Sequence, residues 1–278
     1  MTIFTLTYPP LTKDGSMGGR RWFGGWRELR PAAGVIAALV LWQLVVLVLR
    51  PPSFLVPSPL SVLVELVRRP QLYAAQFWVT VLETLIGFAA GSVLGLASAT
   101  LVVRWRWLED TLYPLLLFLQ VVPKVATAPL LIVRLGFGLG PRVVVAALVA
   151  FFPVVIDTIT GLRNVDEELI ELVTVLRCSR RHEFWKIRFP SALPSIFSGL
   201  KVAVTLALIG AVIGEFVGGS SGLGYLIVLA NTQLDASMSF AALVLLSVLG
   251  LVLFGAVSLL ERVLVPWAPA RGATTLIT

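Results

Sequence analysis

Long apolar runs are the feature that most constrains how this 278-residue chain can fold. A helix that crosses a bilayer needs about 20 mainly apolar residues, and six runs in the sequence approach or exceed that length. They cover residues 31–49, 75–103, 111–135, 142–162, 191–217 and 238–260. Hydrophobic residues make up 58% of the chain and charged residues only 13%, a composition outside the range of soluble domains. The sequence therefore predicts an all-α polytopic membrane protein with six transmembrane helices.

Basic residues collect in alternate loops, and this indicates how the chain is oriented. If the N-terminus is cytoplasmic, six spans place residues 1–30, 104–110, 163–190 and the C-terminal tail on the same side. Those segments hold fifteen of the 22 Lys and Arg residues, whereas the opposite side with its helix ends holds five. Because cytoplasmic loops carry the excess of positive charge, we expect a multi-pass inner-membrane protein with both termini inside. The predicted domains are a cytoplasmic tail at 1–30, a transmembrane domain at 31–267 and a cytoplasmic tail at 268–278.

Small residues and prolines distinguish the second and third runs. Gly87, Gly91 and Gly95 recur at four-residue spacing on one helix face, where small residues let helix backbones approach closely. The third run contains Pro123 and Pro129, and proline interrupts a helix because it lacks a backbone donor. Broken helices at membrane depth are tolerated where they line a cavity or are buried in protein. We therefore expect the glycine face to pack inside the core and the third span to line a pathway.

The segment between the first two runs predicts a short helix at the membrane surface. Ser58 is a suitable N-cap and Pro59 suits the first helical position. Leu60, Leu63 and Val67 recur on one face of such a helix, as is typical of interfacial helices. The alternative is a connector with no membrane contact.

Charges inside the apolar runs mark candidate pathway residues. An intramembrane charge costs roughly 2.5–3.5 kcal/mol at a helix centre unless it has a partner or a wet cavity. Lys124 follows a proline in the broken third run, and Glu215 precedes the "GGSSGLG" turn. We hypothesise that they line or brace the pathway, or form a gating ion pair with each other or with Glu83; the alternative is a buried pair that only fixes helix register. The candidate pathway or gate residues are Glu83, Pro123, Lys124, Glu215, Gly222 and Gly224.

Residues 164–190 form a charged interruption between two apolar runs. Asp166 is a plausible N-cap of a first short helix. A break at 177–179 separates it from a second short helix that carries Phe184 and Trp185 and is ended by Pro190. This pattern predicts a helix pair on a cytoplasmic loop whose apolar side chains need a partner. A solvated basic loop would explain the arginines but not the aromatic residues.

The sequence offers almost nothing that an enzyme would use. Its only histidine, His182, and its only cysteine, Cys178, lie in the charged loop, so neither a metal site nor a Ser/His/Asp set can be assembled. The glycine-rich stretches at 136–140 and 218–224 lack the Lys-Ser/Thr of a phosphate-binding loop. We predict no catalytic residue, no metal, no bound cofactor and no nucleic-acid partner.

The charged loop resembles the Glu-Ala-Ala loop of permease subunits in binding-protein-dependent ABC importers. Glu171 falls on the Glu of that pattern, Ile187 on its apolar position and Pro190 on its terminal Pro. Arg177 stands where the family usually has Gly, a residue that readily adopts a positive φ. The stretches 151–172 and 190–227, which include "GEFVGGSSGLGYLI", are similar to the nitrate, sulfonate, taurine and pyrimidine-precursor permeases.

The resemblance implies that residues 31–267 are a permease domain with a coupling loop at 164–190. It implies a dimer, most simply of two identical subunits, two ATP-binding cassette subunits that carry ATP and Mg²⁺, and a periplasmic or lipid-anchored substrate-binding protein. The residues expected to contact the ATPase are Asp166, Glu171, Arg177, Ser179, Phe184, Trp185, Ile187 and Pro190.

Two other classes of function compete with this interpretation. An ion-gradient-driven secondary transporter is favoured only by the few intramembrane charges, and a membrane scaffold leaves the proline-broken span unexplained. For the solute, "VVPKVATAPL" at 121–130 resembles members associated with heteroaromatic or aromatic compounds, and an organic anion is the alternative.

Overall fold

The computed structural model describes residues 24–267 apart from 53, 106, 109, 110, 112, 113, 116, 117, 119 and 120. Side chains at 24–32, 124, 125, 167, 172 and 174 are also outside the described part. The predicted tail at 268–278 and most of the tail at 1–30 therefore lie outside the described residues. The last seven residues of the predicted N-terminal tail already belong to a helix that begins at Gly24.

Helices account for all regular elements in the described ranges. They are α1 Gly24–Leu49, α2 Pro59–Arg68, α3 Pro70–Arg104, α4 Ala128–Leu135, α5 Leu139–Arg163, α6 Glu167–Val175, α7 Arg180–Glu183, α8 Phe189–Gly218, α9 Leu223–Thr232 and α10 Ala236–Leu264. A 3₁₀ turn at Lys124–Thr127 precedes α4, and a π-helical turn at Phe184–Arg188 joins α7 to α8 without a break. The all-α class predicted from the apolar runs is confirmed.

Four helices of the described chain are long and apolar enough to cross a membrane. They are α3, α5, the continuous segment Arg180–Gly218 and α10, and each contains one of the predicted runs. Two shorter apolar helices, Ala33–Leu49 and α9, accompany them. Of the third predicted run, only the 3₁₀ turn and α4 at its end form described elements, because much of 106–120 lies outside the described residues.

The chain divides into two compact units, residues 1–50 and residues 51–278. The first contains α1. In the second, α5 packs between α3 and α8, and α10 packs on α8 and α9. Small apolar side chains fill the contact between α5 and α8, where Ala150, Val154, Ala203 and Ala207 form a buried cluster.

The glycine face of α3 packs against α5 at backbone distance, as predicted. A Cβ added at Gly91 would lie 2.6 Å from the Ala147 carbonyl oxygen, and one added at Gly87 would overlap the Ala146 Cβ. Helix α8 approaches α5 equally closely, because a Cβ at Gly210 of α8 would lie 2.7 Å from the Ala146 Cα. The central helices therefore touch through their backbones.

The predicted surface helix is α2, and it begins as expected. The Ser58 side chain accepts a hydrogen bond from the Ser61 N–H at 3.1 Å, and Pro59 occupies the first turn. Its inner face buries Val62 and Glu65, whereas Leu60 and Val67 are exposed. An exposed apolar stripe beside the membrane spans fits an interfacial position.

Replacing Gly91 by Leu is expected to lower the thermal unfolding midpoint of the protein in detergent. The new side chain has no space beside the Ala147 carbonyl, and overpacking of this kind costs about 1–3 kcal/mol or more. The matched control is Ala89→Leu, since Ala89 lies on the exposed side of the same helix. Equal midpoints for the two variants would contradict the close packing of α3 on α5.

Candidate functional site

The loop between α5 and α8 contains the predicted pair of short helices, each with its own cap. The Asp166 Oδ1 accepts a hydrogen bond from the Glu168 N–H at 3.2 Å at the start of α6. The Ser179 hydroxyl accepts from the His182 N–H at 3.3 Å at the start of α7. Both residues act as N-caps because a short polar side chain satisfies an otherwise unpaired N–H of the first turn.

The expectation that Pro190 ends the second short helix is wrong. Helical structure runs from Arg180 through the π-helical turn to Gly218, and Pro190 lies in the first turn of α8. The Phe189 N–H donates to the Phe184 carbonyl five residues earlier. This wider turn directly precedes the proline, and such a local π adjustment accommodates proline within a helix that continues to Gly218.

The turn between α6 and α7 keeps a glycine-like backbone although it contains an arginine. Arg177 has φ +50°, in the left-handed region that glycine adopts at little cost. The Cys178 N–H donates to the Val173 carbonyl at 3.2 Å and closes the end of α6. Although Arg177 stands where the family usually has Gly, the backbone at this position therefore adopts the left-handed conformation.

Most of the residues expected to contact an ATPase are accessible on this loop. Asp166, Glu171, Arg177, Ser179 and Trp185 are exposed, the last by 56%. Ile187 and Pro190 are partly buried.

Phe184 has an apolar contact within the chain itself. Its ring packs against the buried cluster of Leu162, Ala192 and Ile196 at the ends of α5 and α8. Trp185 lies edge-on to Phe184 with ring centroids 5.3 Å apart. The loop is therefore held to the bundle by Phe184 and leaves Trp185 on the surface.

Arg188 fixes the same loop through polar contacts. Its Nε lies 2.7 Å from the Glu183 carboxylate, and its NH1 donates to the Leu162 carbonyl at 3.5 Å. The loop and the adjoining span are thus joined by a continuous helix, an aromatic contact and an ion pair.

At the opposite end of the bundle, charged residues from three helices form a buried cluster. Glu83 of α3, Arg142 of α5 and Glu215 of α8 are exposed by only 0%, 3% and 1%. The Arg142 NH1 lies 2.7 Å from the Glu83 Oε1, and it also donates to the Ser221 carbonyl at 3.2 Å. A buried ion pair is strongly destabilising to break, because the remaining charge has no compensation.

Glu215 holds the turn that follows α8. Its Oε1 accepts a hydrogen bond from the Thr80 hydroxyl and its Oε2 accepts one from the Gly224 N–H, both at 2.6 Å. Thr80 in turn accepts from the Leu223 N–H at 2.9 Å, and the Gln76 Oε1 accepts from the Gly222 N–H at 2.5 Å. The start of α9 is thereby tied to both α3 and α8.

Glycine is required where this turn passes over Glu215. Gly222 has φ +106°, and an added Cβ would overlap the Glu215 carboxylate. At Gly224 an added Cβ would lie 2.7 Å from the Glu215 Oε2. We name the set Gln76, Thr80, Glu83, Arg142, Glu215, Ser221, Gly222 and Gly224 the polar cluster.

The structure brings together four of the six sequence-predicted pathway residues. Glu83, Glu215, Gly222 and Gly224 all belong to the polar cluster. Pro123 precedes the 3₁₀ turn that Lys124 begins, and the Lys124 side chain lies outside the described part.

Arg142 is not predicted from the sequence as the cation that pairs with Glu83, because it stands at a helix end, where a charge can reach water. A useful signal is available in the sequence. Arg142 is followed by a long apolar run, and a charge at such a position requires a partner. Thr80 and Gln76 give no such signal, since polar uncharged residues are common in spans.

The polar cluster joins α3, α5 and α8 to the start of α9 through side-chain contacts. Within the described ranges, no group of three or more His, Cys, Asp or Glu side chains has the geometry to hold a metal ion. Three of the four carboxylate oxygens of Glu83 and Glu215 contact a guanidinium, a hydroxyl and a backbone N–H.

Comparison with known proteins agrees with this architecture. Residues 91–265 match the family described as "Binding-protein-dependent transport system inner membrane component". The chain belongs to this family. These permeases are membrane components of ABC transporters, and the curated relatives carry such names.

Three relatives illustrate how far the similarity extends. A probable ABC transporter permease protein of Haemophilus influenzae is 37% identical over 228 residues, which covers 82% of this chain and 93% of the relative. The riboflavin transport system permease RibX of Chloroflexus aurantiacus is 37% identical, and the match covers 87% of this chain and 91% of the relative. The formylaminopyrimidine transport permease ThiX of Halalkalibacterium halodurans is 32% identical, and the match covers 87% of this chain and 97% of the relative.

A solved structure supports the fold. A chain of the MetNI methionine ABC transporter in an inward-facing conformation matches with a TM-score of 0.63 at 20% identity, covering 71% of this chain and 98% of that one. The permease fold extends through most of this chain's second compact unit.

In this permease, Arg142→Met is expected to lower stability by about 3–5 kcal/mol, because it leaves the Glu83 carboxylate buried without a counter-ion. The measurement is the thermal unfolding midpoint in detergent. Lys201→Met is the control, since the Lys201–Glu261 pair has the same 2.7 Å separation but is about one-fifth exposed. The double variant Glu83→Gln, Arg142→Met should recover part of the loss. A smaller loss for Arg142→Met than for Lys201→Met would contradict the role given to the buried pair.

Proposed function

We propose that this chain forms the solute pathway of an ATP-driven importer and couples that pathway to cytoplasmic ATPase subunits. The observation that carries the proposal is the continuous helical segment Arg180–Gly218. At 1.5 Å per residue, its 39 residues extend about 58 Å. One end lies in the exposed loop and the other contains Glu215 of the polar cluster.

The proposed orientation places the loop at 164–190 and both termini in the cytoplasm. The excess of Lys and Arg in the segments on that side supports this orientation. The polar cluster then lies toward the opposite membrane surface, where a binding protein delivers solute. Family resemblance supports a homodimer with two ATP-binding cassette subunits and a periplasmic or lipid-anchored binding protein.

Coupling in this proposal is mechanical. An ATPase subunit binds the exposed side chains of the loop, including Glu171 and Arg177. The bound loop moves with the subunit in each cycle of ATP binding and hydrolysis. A turn at 176–179 separates α6 from α7, but α7 continues into α8 without a break, so a displacement that reaches α7 passes to the span. Since Glu215 ties α8 to α3 and α9, the movement reaches the polar cluster and opens or closes the far end. ATP and Mg²⁺ stay in the partner, and this chain contributes no catalytic group.

The polar cluster acts as the gate in this scheme, with Pro123 and Lys124 as further pathway residues. Several hydrogen bonds converge on the short turn before α9, and this convergence supports a gate. The alternative, in which the cluster only fixes the register of three helices, predicts normal transport by any variant that assembles. Lys124→Met is expected to lose uptake while assembly and ATPase activity stay normal, and unchanged uptake in the assay described below would exclude a pathway role for Lys124.

Glu171→Lys is expected to abolish coupling, so that ATP is hydrolysed without solute uptake while the permease still reaches the membrane. The charge reversal alters an exposed contact and removes no buried one. Uptake and ATPase activity are measured together in proteoliposomes that contain the purified complex. Glu168→Lys makes the same charge change one turn earlier on the same helix and serves as control. Wild-type uptake by Glu171→Lys excludes the coupling role.

We further propose that the solute is a small heteroaromatic compound. Two relatives at 37% and 32% identity, named for riboflavin and formylaminopyrimidine transport, support this class. The alternative solute class is an organic anion such as an alkanesulfonate.

Uptake of labelled riboflavin and of a labelled formylaminopyrimidine should exceed uptake of an alkanesulfonate in proteoliposomes supplied with the cognate binding protein. Uptake should require ATP inside the vesicles. Transport driven by an imposed ion gradient without ATP would instead support a secondary transporter. Preference for the sulfonate would contradict the proposed solute class and leave the coupling proposal unaffected.

A further inference from the structure

A cavity of about 930 Å³ lies beside the loop, remote from the polar cluster. One wall comes from the end of α3 and includes Leu96, Leu101 and Arg104. The other wall comes from the segment Arg180–Arg188, with Ile170 of α6 completing the lining. The cavity therefore sits where a membrane span meets the loop.

The cavity is strongly basic. Four arginines line it, against the single carboxylate of Glu183. Arg188 is already paired with that carboxylate at 2.7 Å. The other three, Arg104, Arg180 and Arg181, are exposed and have no ion pair or hydrogen bond from their side chains within the described residues.

Three unpaired guanidinium groups around one cavity create a local positive potential that attracts anions. Guanidinium binds phosphate with paired N–H groups and is only weakly hydrated, so arginine is favoured where phosphate is recognised. Because the groups come from two elements, α3 and α7, an anion bound between them would also join the span to the loop.

The remaining lining is apolar and belongs to a span. Leu101, which is 48% exposed, lies one turn before Arg104 on α3. Trp185 contributes an exposed aromatic ring from the loop side, and Trp is enriched where membranes meet water. The apolar wall, which is continuous with a membrane span, matches the acyl chains of a lipid molecule. The arginines at its end match the charged headgroup. Inorganic phosphate would use only the basic half.

We propose that this cavity binds the phosphate headgroup of an anionic phospholipid, with Arg104, Arg180 and Arg181 as its ligands. Basic pockets between membrane helices and juxtamembrane arginines bind anionic headgroups in this way. The acyl chains lie along the exposed face of α3 that contains Leu101. The assignment to the cytoplasmic leaflet rests on the orientation proposed above, whereas the headgroup chemistry does not.

The test uses native mass spectrometry of the full-length chain in detergent, titrated with phosphatidylglycerol or with phosphatidylcholine of the same acyl chains. Phosphatidylglycerol should bind more tightly, and each arginine removed should weaken its binding about fivefold. The variants are Arg104→Gln on one wall and the pair Arg180→Gln, Arg181→Gln on the other. Their thermal unfolding midpoints establish that each is folded.

Lys186→Gln is the matched control. Lys186 is exposed on the same helical segment but does not line the cavity. Retained phosphatidylglycerol binding by this variant, with loss in the arginine variants, supports the proposal.

Three results would overturn the lipid site. Equal affinity for the two lipids means that the headgroup charge is not recognised. An equal loss in Lys186→Gln means that general surface charge attracts the lipid. Displacement of phosphatidylglycerol by an equal concentration of inorganic phosphate means that the cavity is a free-phosphate site. Because the assay needs neither ATPase nor solute, its failure is distinct from failure of the importer proposal.

Discussion

Apolar side chains gain little by leaving lipid tails for a protein interior, so the central helices of this protein must associate through close backbone contact. The glycines of α3 make that contact with α5, and Gly210 of α8 makes it with the same helix at Ala146. Two helices that meet at glycine also bring their polar groups within hydrogen-bonding reach. The rest of the second compact unit depends on this packing, since α5 is the helix that both neighbours share.

The polar cluster shows how tight packing and buried charge depend on each other. A Cβ at Gly214 would lie 2.9 Å from the Arg142 Cα, so the backbone of α8 passes directly over this arginine. The same closeness lets Glu83 meet the guanidinium at 2.7 Å with almost no exposure. Wider helix spacing would admit lipid or water to the charges, and a bulkier residue at position 214 would force that spacing.

The apolar runs predict the spans well because membrane thickness imposes a length and a composition that are visible in one sequence. The glycine face of α3 is predictable for a similar reason, since its period is local. Arg142 is missed because a partner 59 residues away in the chain is set by tertiary packing. The Pro190 boundary is wrong because a π-helical turn lets helix continue through the proline region. For Phe184, amphipathicity indicates that a partner is needed but not that the partner is the protein's own core.

The separation of Glu83 and Arg142 along the chain also sets an order of events during biosynthesis. Glu83 precedes its partner by 59 residues, and at roughly 5–20 residues per second a ribosome needs about 3–12 seconds to make that stretch. For this interval α3 has a carboxyl group for which its own helix provides no counter-ion. The ion pair that fixes α3 against α5 in the finished protein can therefore form only after α5 has been made.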